Sequence, residues 1–311
     1  MRAAAPGTAC AESPSDLTQE PVVTIDAALL KAWPFEPVRH TYTARDTILY
    51  ALGLGLGRDP LDAAQLRHTY ERGLQALPTM AVVLGSPGFW AKDPRTRIDW
   101  VRLLHGEQEL ELHAPLPVAG TVIGVSRVTR LVDKGAGKGA LMYSERTLTD
   151  EGTGVRLATA RSVSFLRGDG GFAAHGQSSD EAPPARPPTP DTPPQITFDW
   201  PIRPEAALIY RLSGDDNPLH ADPAVAAAAG FQAPILHGLC SFGMTGWALT
   251  RALCGGDAAR LQAIGTRFAA PVFPGETLRV EIWRHGDAVQ FRTRVLERDL
   301  IVLSHGTATL G

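Results

Sequence analysis

A chain of 311 residues is too long for one ordinary compact domain and suits two of about 150 residues each, so two cores are expected. With 44% hydrophobic residues, 20% charged residues and a net charge of -3, the composition is that of a soluble globular protein with no general electrostatic reason to bind nucleic acid. Cys10, Cys240 and Cys254 are odd in number and lack CxxC or Cys/His metal spacing, which argues against a disulfide framework or a zinc site and suits a reducing cytoplasm.

The first residues, 1–19, read as a disordered lead, without the apolar run of a signal peptide, and no later segment is apolar for long enough to span a bilayer. Residues 20–172 form the first of two expected domains. Thr43, with Asp46 three residues on, resembles a capping box that opens a helix through Ile48, Leu49 and Leu52. An apolar stretch follows at Leu77 to Leu84, cut short by Gly85 and Pro87, which predicts a less regular helix with room beside it for a bulky group. Alternating apolar and polar residues then predict strands over Gly106–Leu112, Thr121–Leu131, Ala140–Thr149 and Val155–Phe165. The turns fall at Asp133-Lys134-Gly135 and Asp150-Glu151-Gly152.

Residues 173–195 carry so many prolines among Ser, Asp and Glu that they read as a linker, with a plain spacer as the default role. The second domain, 196–311, repeats the order of the first. A shift of 156 positions places Pro78 on Pro234, Ala114-Pro115-Leu116 on Ala270-Pro271-Val272, and Thr121-Val122 on Thr277-Leu278. A shift of 160 places Tyr50-Ala51-Leu52 on Tyr210-Arg211-Leu212. Such matches, in one order and at nearly one shift, point to an internal duplication. Pro204 to Leu212 is the counterpart of the opening helix, and Ile235 to Leu253, apolar on nearly every face, predicts a helix buried all round. Leu261 to Leu310 returns to strand alternation, with turns at His285-Gly286-Asp287 and Glu297-Arg298-Asp299. A long helix held in a curved antiparallel sheet, occurring twice, defines an α+β double hot dog.

The densest polar sequence beside the buried helix runs from Ser213 to Pro223. Within it, Asp215 and His220 lie five apart on a stretch broken by Gly214 and Pro218, so a turn at Asn217-Pro218 can bring both side chains to one point. A carboxylate and an imidazole can share one water, take a proton from it and deliver one to a neighbouring carbon. The same residue types are also ordinary turn formers, and the spacing alone does not decide between the two roles. Gly238 follows His237 at the start of the buried helix, where free amides and the positive end of the helix dipole could receive a thioester carbonyl; close packing is the other use of such a glycine. His237 reads as a residue that satisfies local hydrogen bonds. Gly53-x-Gly55-x-Gly57 is not a dinucleotide fingerprint, and Cys240 and Ser241 lack a nucleophile elbow.

The string from Tyr210 through Ser213-Gly214-Asp215-Asp216-Asn217-Pro218-Leu219-His220 to Pro234-Ile235-Leu236-His237-Gly238 resembles the hydratase motif of MaoC-like (R)-specific enoyl-CoA hydratases, the hydratase 2 type. Leu103 to Gln108, Val132 to Gly135 and Phe165 to Gly168 are similar to the non-catalytic repeat in the hydratase domain of the peroxisomal multifunctional enzyme type 2. The resemblance implies that Asp215 and His220 activate water, that Asn217 holds the loop or substrate, and that the Gly238 amide meets the thioester. It further implies acyl-CoA contacts from His105, Gly106 and Lys134 of the first half and from Phe268. The first half has Gly53-Leu54-Gly55 in place of Ser213-Gly214-Asp215, with no histidine at the right distance, so it is no second active site.

The expected reaction is therefore reversible hydration of a trans-2-enoyl-CoA to a (3R)-3-hydroxyacyl-CoA, within fatty acid metabolism, with no metal and no cofactor beyond the CoA of the substrate. The expected setting is a cytoplasmic homodimer with no nucleic acid or membrane partner. Two alternatives stay open. A hot-dog thioesterase commonly uses a carboxylate within the central helix, and Gly238 to Arg251 contains none. A non-catalytic acyl-CoA-binding subunit of a dehydratase assembly would have no need of both Asp215 and His220.

Overall fold

A computed structural model describes residues 25–311; the lead at 1–19 and Cys10 lie outside the described residues. The first half contains helices α1 (Ala27–Lys31), α2 (Ala44–Gly53) and α3 (Ala63–Thr69) and strands β1 (Val38–Tyr42), β2 (Leu103–Leu112), β3 (Gly120–Asp133), β4 (Ala140–Asp150) and β5 (Arg156–Leu166). The second half contains β6 (Ile196–Pro201), α4 (Ala206–Tyr210), α5 (Pro223–Ala228), α6 (Gly238–Cys254), β7 (Leu261–Phe268), β8 (Thr277–His285), β9 (Ala288–Val295) and β10 (Leu300–Leu310). The capping box at α2 forms as its sequence predicts: the Asp46 carboxylate accepts the Thr43 backbone N–H at 2.8 Å and its hydroxyl at 2.7 Å.

All ten strands join one antiparallel sheet in the order β1-β3-β4-β5-β2-β7-β10-β9-β8-β6. Read inward from either edge, the two halves have the same order, so the duplication seen in the sequence is also a duplication of topology. The central pair β2·β7 sets Glu107 opposite Arg267, Glu109 opposite Gly265 and Glu111 opposite Ala263. The 156-residue shift carries 107, 109 and 111 onto 263, 265 and 267, so the pairing maps onto itself and the Glu109–Gly265 pair marks a pseudo-twofold axis.

The double hot dog has one full-length filling. Every residue of α6 from Cys240 to Thr250 is buried, and the helix stops where Gly255 takes a left-handed conformation at φ 62°. In the first half the apolar stretch yields only a five-residue 3-10 helix, Pro78–Val82, so the expected long central helix is absent there. Gly85 adopts φ 59° and packs against the Gly124 backbone of β3, a turn and a close approach that end that helix early. α6 reaches across to fill the gap. An added Cβ at Gly243 would lie 2.7 Å from the Tyr50 hydroxyl, and one at Gly246 would lie 2.6 Å from Thr79 Cγ2, both in the first half. The two separate cores expected from length thus become one main core shared by both halves, with a smaller cluster of Ile25, Leu30, Val128, Leu131 and Phe172 in the first half.

The proline-rich segment 173–195 is not a plain spacer. Gln177 donates to the Ile25 carbonyl and accepts from the Ala27 N–H, and Asp180 accepts the Leu131 N–H and pairs with Lys31. Farther on, Arg186 pairs with Glu107 and Glu109, and the carbonyls of Thr192 and Pro193 accept the Trp283 indole N–H. Proline removes donors but leaves carbonyls, so the segment is held by the side chains of Gln177, Asp180 and Arg186 and by carbonyls that accept from Trp283 and Gln290.

Candidate active site

The chain enters the site from α4. After Tyr210 a 3-10 turn, Arg211–Ser213, ends at Gly214 with φ 112°, which turns Asp215 back toward the start of α6. A second 3-10 turn, Pro218–His220, follows at once, capped by the Asn217 side-chain oxygen, which accepts the Leu219 N–H at 3.1 Å. Asn217 also donates its own N–H to the Asp215 carboxylate at 3.3 Å. Asn217 therefore holds the loop. Asp222 caps α5 immediately afterwards, so the loop is anchored at both ends.

His220 is buried and donates from Nδ1 to the Ile235 carbonyl at 2.8 Å, which leaves Nε2 as its lone-pair nitrogen. Burial lowers its pKa below the ordinary histidine value, opposed by that hydrogen bond and by the charge of Asp215. The ring stacks on His237 with centroids 3.8 Å apart. His237, 1% exposed, donates from Nε2 to the Asp215 carbonyl at 3.2 Å, while its Nδ1 has no partner. Burial and the neighbouring His220 push its pKa down to about 4, so it stays neutral across the working range. His237 does make the local hydrogen bond expected of it, and the stack shows that it also fixes the plane of His220.

Asp215, His220 and His237 each present a polar side-chain atom within 4.8 Å of the others. That separation lets one water bridge Asp215 and His220, since two hydrogen bonds in series cover such a gap; by distance alone a metal ion would also fit. Gly238 opens α6 next to them. A Cβ there would lie 3.1 Å from the Phe268 ring, so the missing side chain lets Phe268 pack directly on the first turn of α6.

The first half contributes to the same place. His105 on β2 lies with its ring centroid 4.8 Å from that of Phe268 and is close enough to Asp215 to feel its charge. Burial pushes its pKa down to about 4. Gly106 occupies the bulge between His105 and Glu107 in the β2·β5 pairing, which turns His105 toward the junction. Lys134 stands apart. It is exposed on the β3–β4 turn, and none of its contacts reaches this cluster. That turn packs on Gly170, and the adjoining Gly168 and Asp169 line a cavity of about 540 Å³ with Lys92, Arg97 and Arg102 as well as Asp93 and Asp99.

Sequence reasoning missed the part played by Tyr210. Its ring centroid lies 5.1 Å from that of His237 and 5.8 Å from that of Tyr50, and its hydroxyl is buried without a partner. The available signal was the repeat itself, which set Tyr50 and Tyr210 in register.

A double hot dog with a carboxylate and an imidazole side by side at the N-terminus of its long central helix has the geometry for acid–base work on a bound ligand. Comparison with known proteins gives the class. Residues 184–305 match the MaoC like domain, and residues 40–168 match the MFE-2 hydratase 2 N-terminal domain. The chain is 45% identical to 3-hydroxyacyl-thioester dehydratase Y of Mycobacterium tuberculosis, over 85% of this chain and 90% of that protein. It is 40% identical to the peroxisomal enoyl-CoA hydratase 2 of Arabidopsis thaliana, over 89% and 93%. The crystal structure of a MaoC-like dehydratase from Phytophthora capsici superposes with a TM-score of 0.80 at 34% identity, covering 91% of this chain and 98% of that one. The chain belongs to the MaoC-like hydratase 2 family of enoyl-CoA hydratases and dehydratases, and is a hydro-lyase.

Proposed function

We propose that this chain hydrates trans-2-enoyl-CoA reversibly to (3R)-3-hydroxyacyl-CoA, with Asp215 and His220 as the acid–base pair. The observation that carries the reading is the tautomer of His220: Nδ1–H is committed to the Ile235 carbonyl, so Nε2 is free to accept a proton beside the Asp215 carboxylate. A water held between the two adds its oxygen to C3 as His220 Nε2 takes one of its protons and the C2=C3 electron pair moves onto the thioester; the imidazolium then gives that proton to C2, while the Asp215 carboxylate holds the water's other hydrogen and balances the imidazolium's charge. The negative charge that gathers on the thioester oxygen meets the Gly238 amide at the positive end of α6. His105 and Phe268 border the acyl group, and the cations Lys92, Arg97, Arg102 and Lys134 are the candidates to meet the phosphates of CoA.

No step in this sequence calls for a metal or an organic cofactor, so dialysis against a chelator should leave turnover unchanged. We assign the chain to a homodimer in the cytoplasm. Free Cys240 and Cys254 suit a reducing compartment, and no helix among the described residues is long and apolar enough to cross a membrane. Sedimentation gives the assembly directly. The reaction is tested by mixing the purified chain with enoyl-CoAs of graded bulk and following absorbance at the enoyl thioester band. Loss of the band with formation of an (R)-hydroxyacyl-CoA supports hydration. Release of free CoA, seen by mass spectrometry without that product, would show a thioesterase instead.

A further inference from the structure

The pseudo-twofold axis through Glu109 and Gly265 must carry the active site onto a mate in the first half, and a cavity of about 680 Å³ lies there. Its walls follow the repeat. Leu261 stands where the mate of His105 should be, Leu112 is the mate of Phe268, and Ala114-Pro115 repeats Ala270-Pro271, all at the same 156-residue shift. It opens at the far ends of β2 and β7 from His105 and Phe268, roughly 20 Å along the strands. The volume lies in the ~300–1,000 Å³ range of small-molecule sites.

The reacting end of this mate is closed. Val82 stands in place of Gly238, and its carbonyl accepts the Arg146 guanidinium at 2.5 Å. Gly53-Leu54-Gly55 stands in place of the loop that bears Asp215. What survives is the outer part, where Leu74, Ala76, Leu112, Leu116 and Leu261 form an apolar wall beside Gln75, His113 and Gln262. Glu109 and Glu111 also line it, and no lysine or arginine does. Arg161, which pairs with both carboxylates, is turned to them and stands outside the lining. Arg186 pairs with Glu109 as well, so these cations are engaged by carboxylates and none is left to meet an anionic head group, the polyphosphate of CoA above all.

We propose that this cavity is a second, non-catalytic lipid site that takes the hydrocarbon chain of a neutral amphiphile, such as a medium-chain alcohol or acylglycerol. The choice of a hydrocarbon chain rests on the hydratase reading of the active site that the cavity repeats. Burying apolar groups drives the binding, so each added methylene should tighten it roughly fourfold until the cavity is filled. The two sites are then distinct in ligand: acyl thioesters go to the second half and neutral chains to the first.

The test is calorimetric titration of the full chain with 1-hexanol, 1-octanol and 1-decanol, and with decanoate as the anionic counterpart. One alkanol per chain is expected, with affinity rising along the series and decanoate binding less well than decanol. Ala114→Trp and, independently, Ala263→Trp should fill the cavity and abolish alkanol binding while hydration kinetics stay at the wild-type level. Two variants guard against one that fails to fold, which circular dichroism would reveal. Alkanol binding that persists in both folded variants, that is absent from the wild type, or that competes with enoyl-CoA for the active site would overturn the proposal. Failure of the hydratase assay alone would leave the alkanol result intact and would count against the proposed reaction only.

Discussion

His220 and Asp215 are each fixed by a bond that leaves a reactive atom free, and this makes their substitution informative. Asp215→Asn keeps a polar atom for the Asn217 N–H but cannot take a proton, and His220→Ala removes the imidazole while Ile235 can turn its carbonyl to water. Each should lower hydration about 100- to 10,000-fold with the fold intact by circular dichroism. Near wild-type turnover from either folded variant would mean the site lies elsewhere. The buried histidines also set the response to acid. Because burial lowers the pKa of His220, it remains a base below the usual ~6.5, and the acid limb of kcat/KM should lie below that value. His105 and His237, with pKa values of about 4, bind protons more readily when unfolded. Their contribution to stability is therefore complete above ~6.5 and is lost as pH falls from there toward 4. Denaturant unfolding at steps between pH 7 and 4.5 should show this slope, and His237→Gln should flatten it; an unchanged slope would mean that the neutral, buried imidazole of His237 is not what the acid disrupts.

Elements were legible where period and punctuation agreed. The four first-half strands predicted from alternation lie within three residues of those observed, the two turns read in Leu261 to Leu310 fall between β8 and β9 and between β9 and β10, and the capping box at Thr43 starts α2 as read; the break between β7 and β8 carried no turn signal that was read. β1 and β6, the two edge strands, escaped because each is short and one of them, Ile196–Pro201, abuts the proline-rich run that reads as linker. The first-half helix was legible as irregular, but its near-absence follows from a contact that no local pattern shows, the packing of Gly85 on Gly124. The proline-rich segment was opaque for a similar reason. Its hold on the sheet comes from single side chains whose partners lie many residues away, above all Arg186, which sits over Gly265 on the pseudo-twofold axis and pairs with Glu107 and Glu109. Arg186→Ala should cost about 1–2 kcal/mol of stability, as partly buried charge-assisted bonds do. The urea midpoint should fall while kcat/KM holds; an unmoved midpoint would reduce the segment to the spacer that its composition suggests.

At the scale of the whole molecule, the two topologically equivalent halves are unequal at the residues proposed for catalysis, which predicts one catalytic centre per chain. The second half has Asp215, Asn217, His220 and Gly238, whereas the first half has Gly55, Gly57, Pro60 and Val82 at the matching positions and only a short 3-10 turn in place of the long helix. Yet neither half is self-sufficient. The site takes His105 from β2, the α6 helix is covered by Tyr50 and Thr79, and β7 is paired on one side only by β2. The proposed partition into 20–172, 173–195 and 196–311 is thus a division of sequence whose function is joint. A non-reactive acyl-CoA analogue titrated into the full chain should bind with a stoichiometry near one. The isolated 196–311 fragment, if it folds, should be inactive as a monomer, because removing β2 leaves β7 with an unpaired edge and takes away one wall of the site. Two equivalent acyl-CoA sites per chain, or full activity from that fragment shown by sedimentation to be monomeric, would separate the halves and dismiss the joint site.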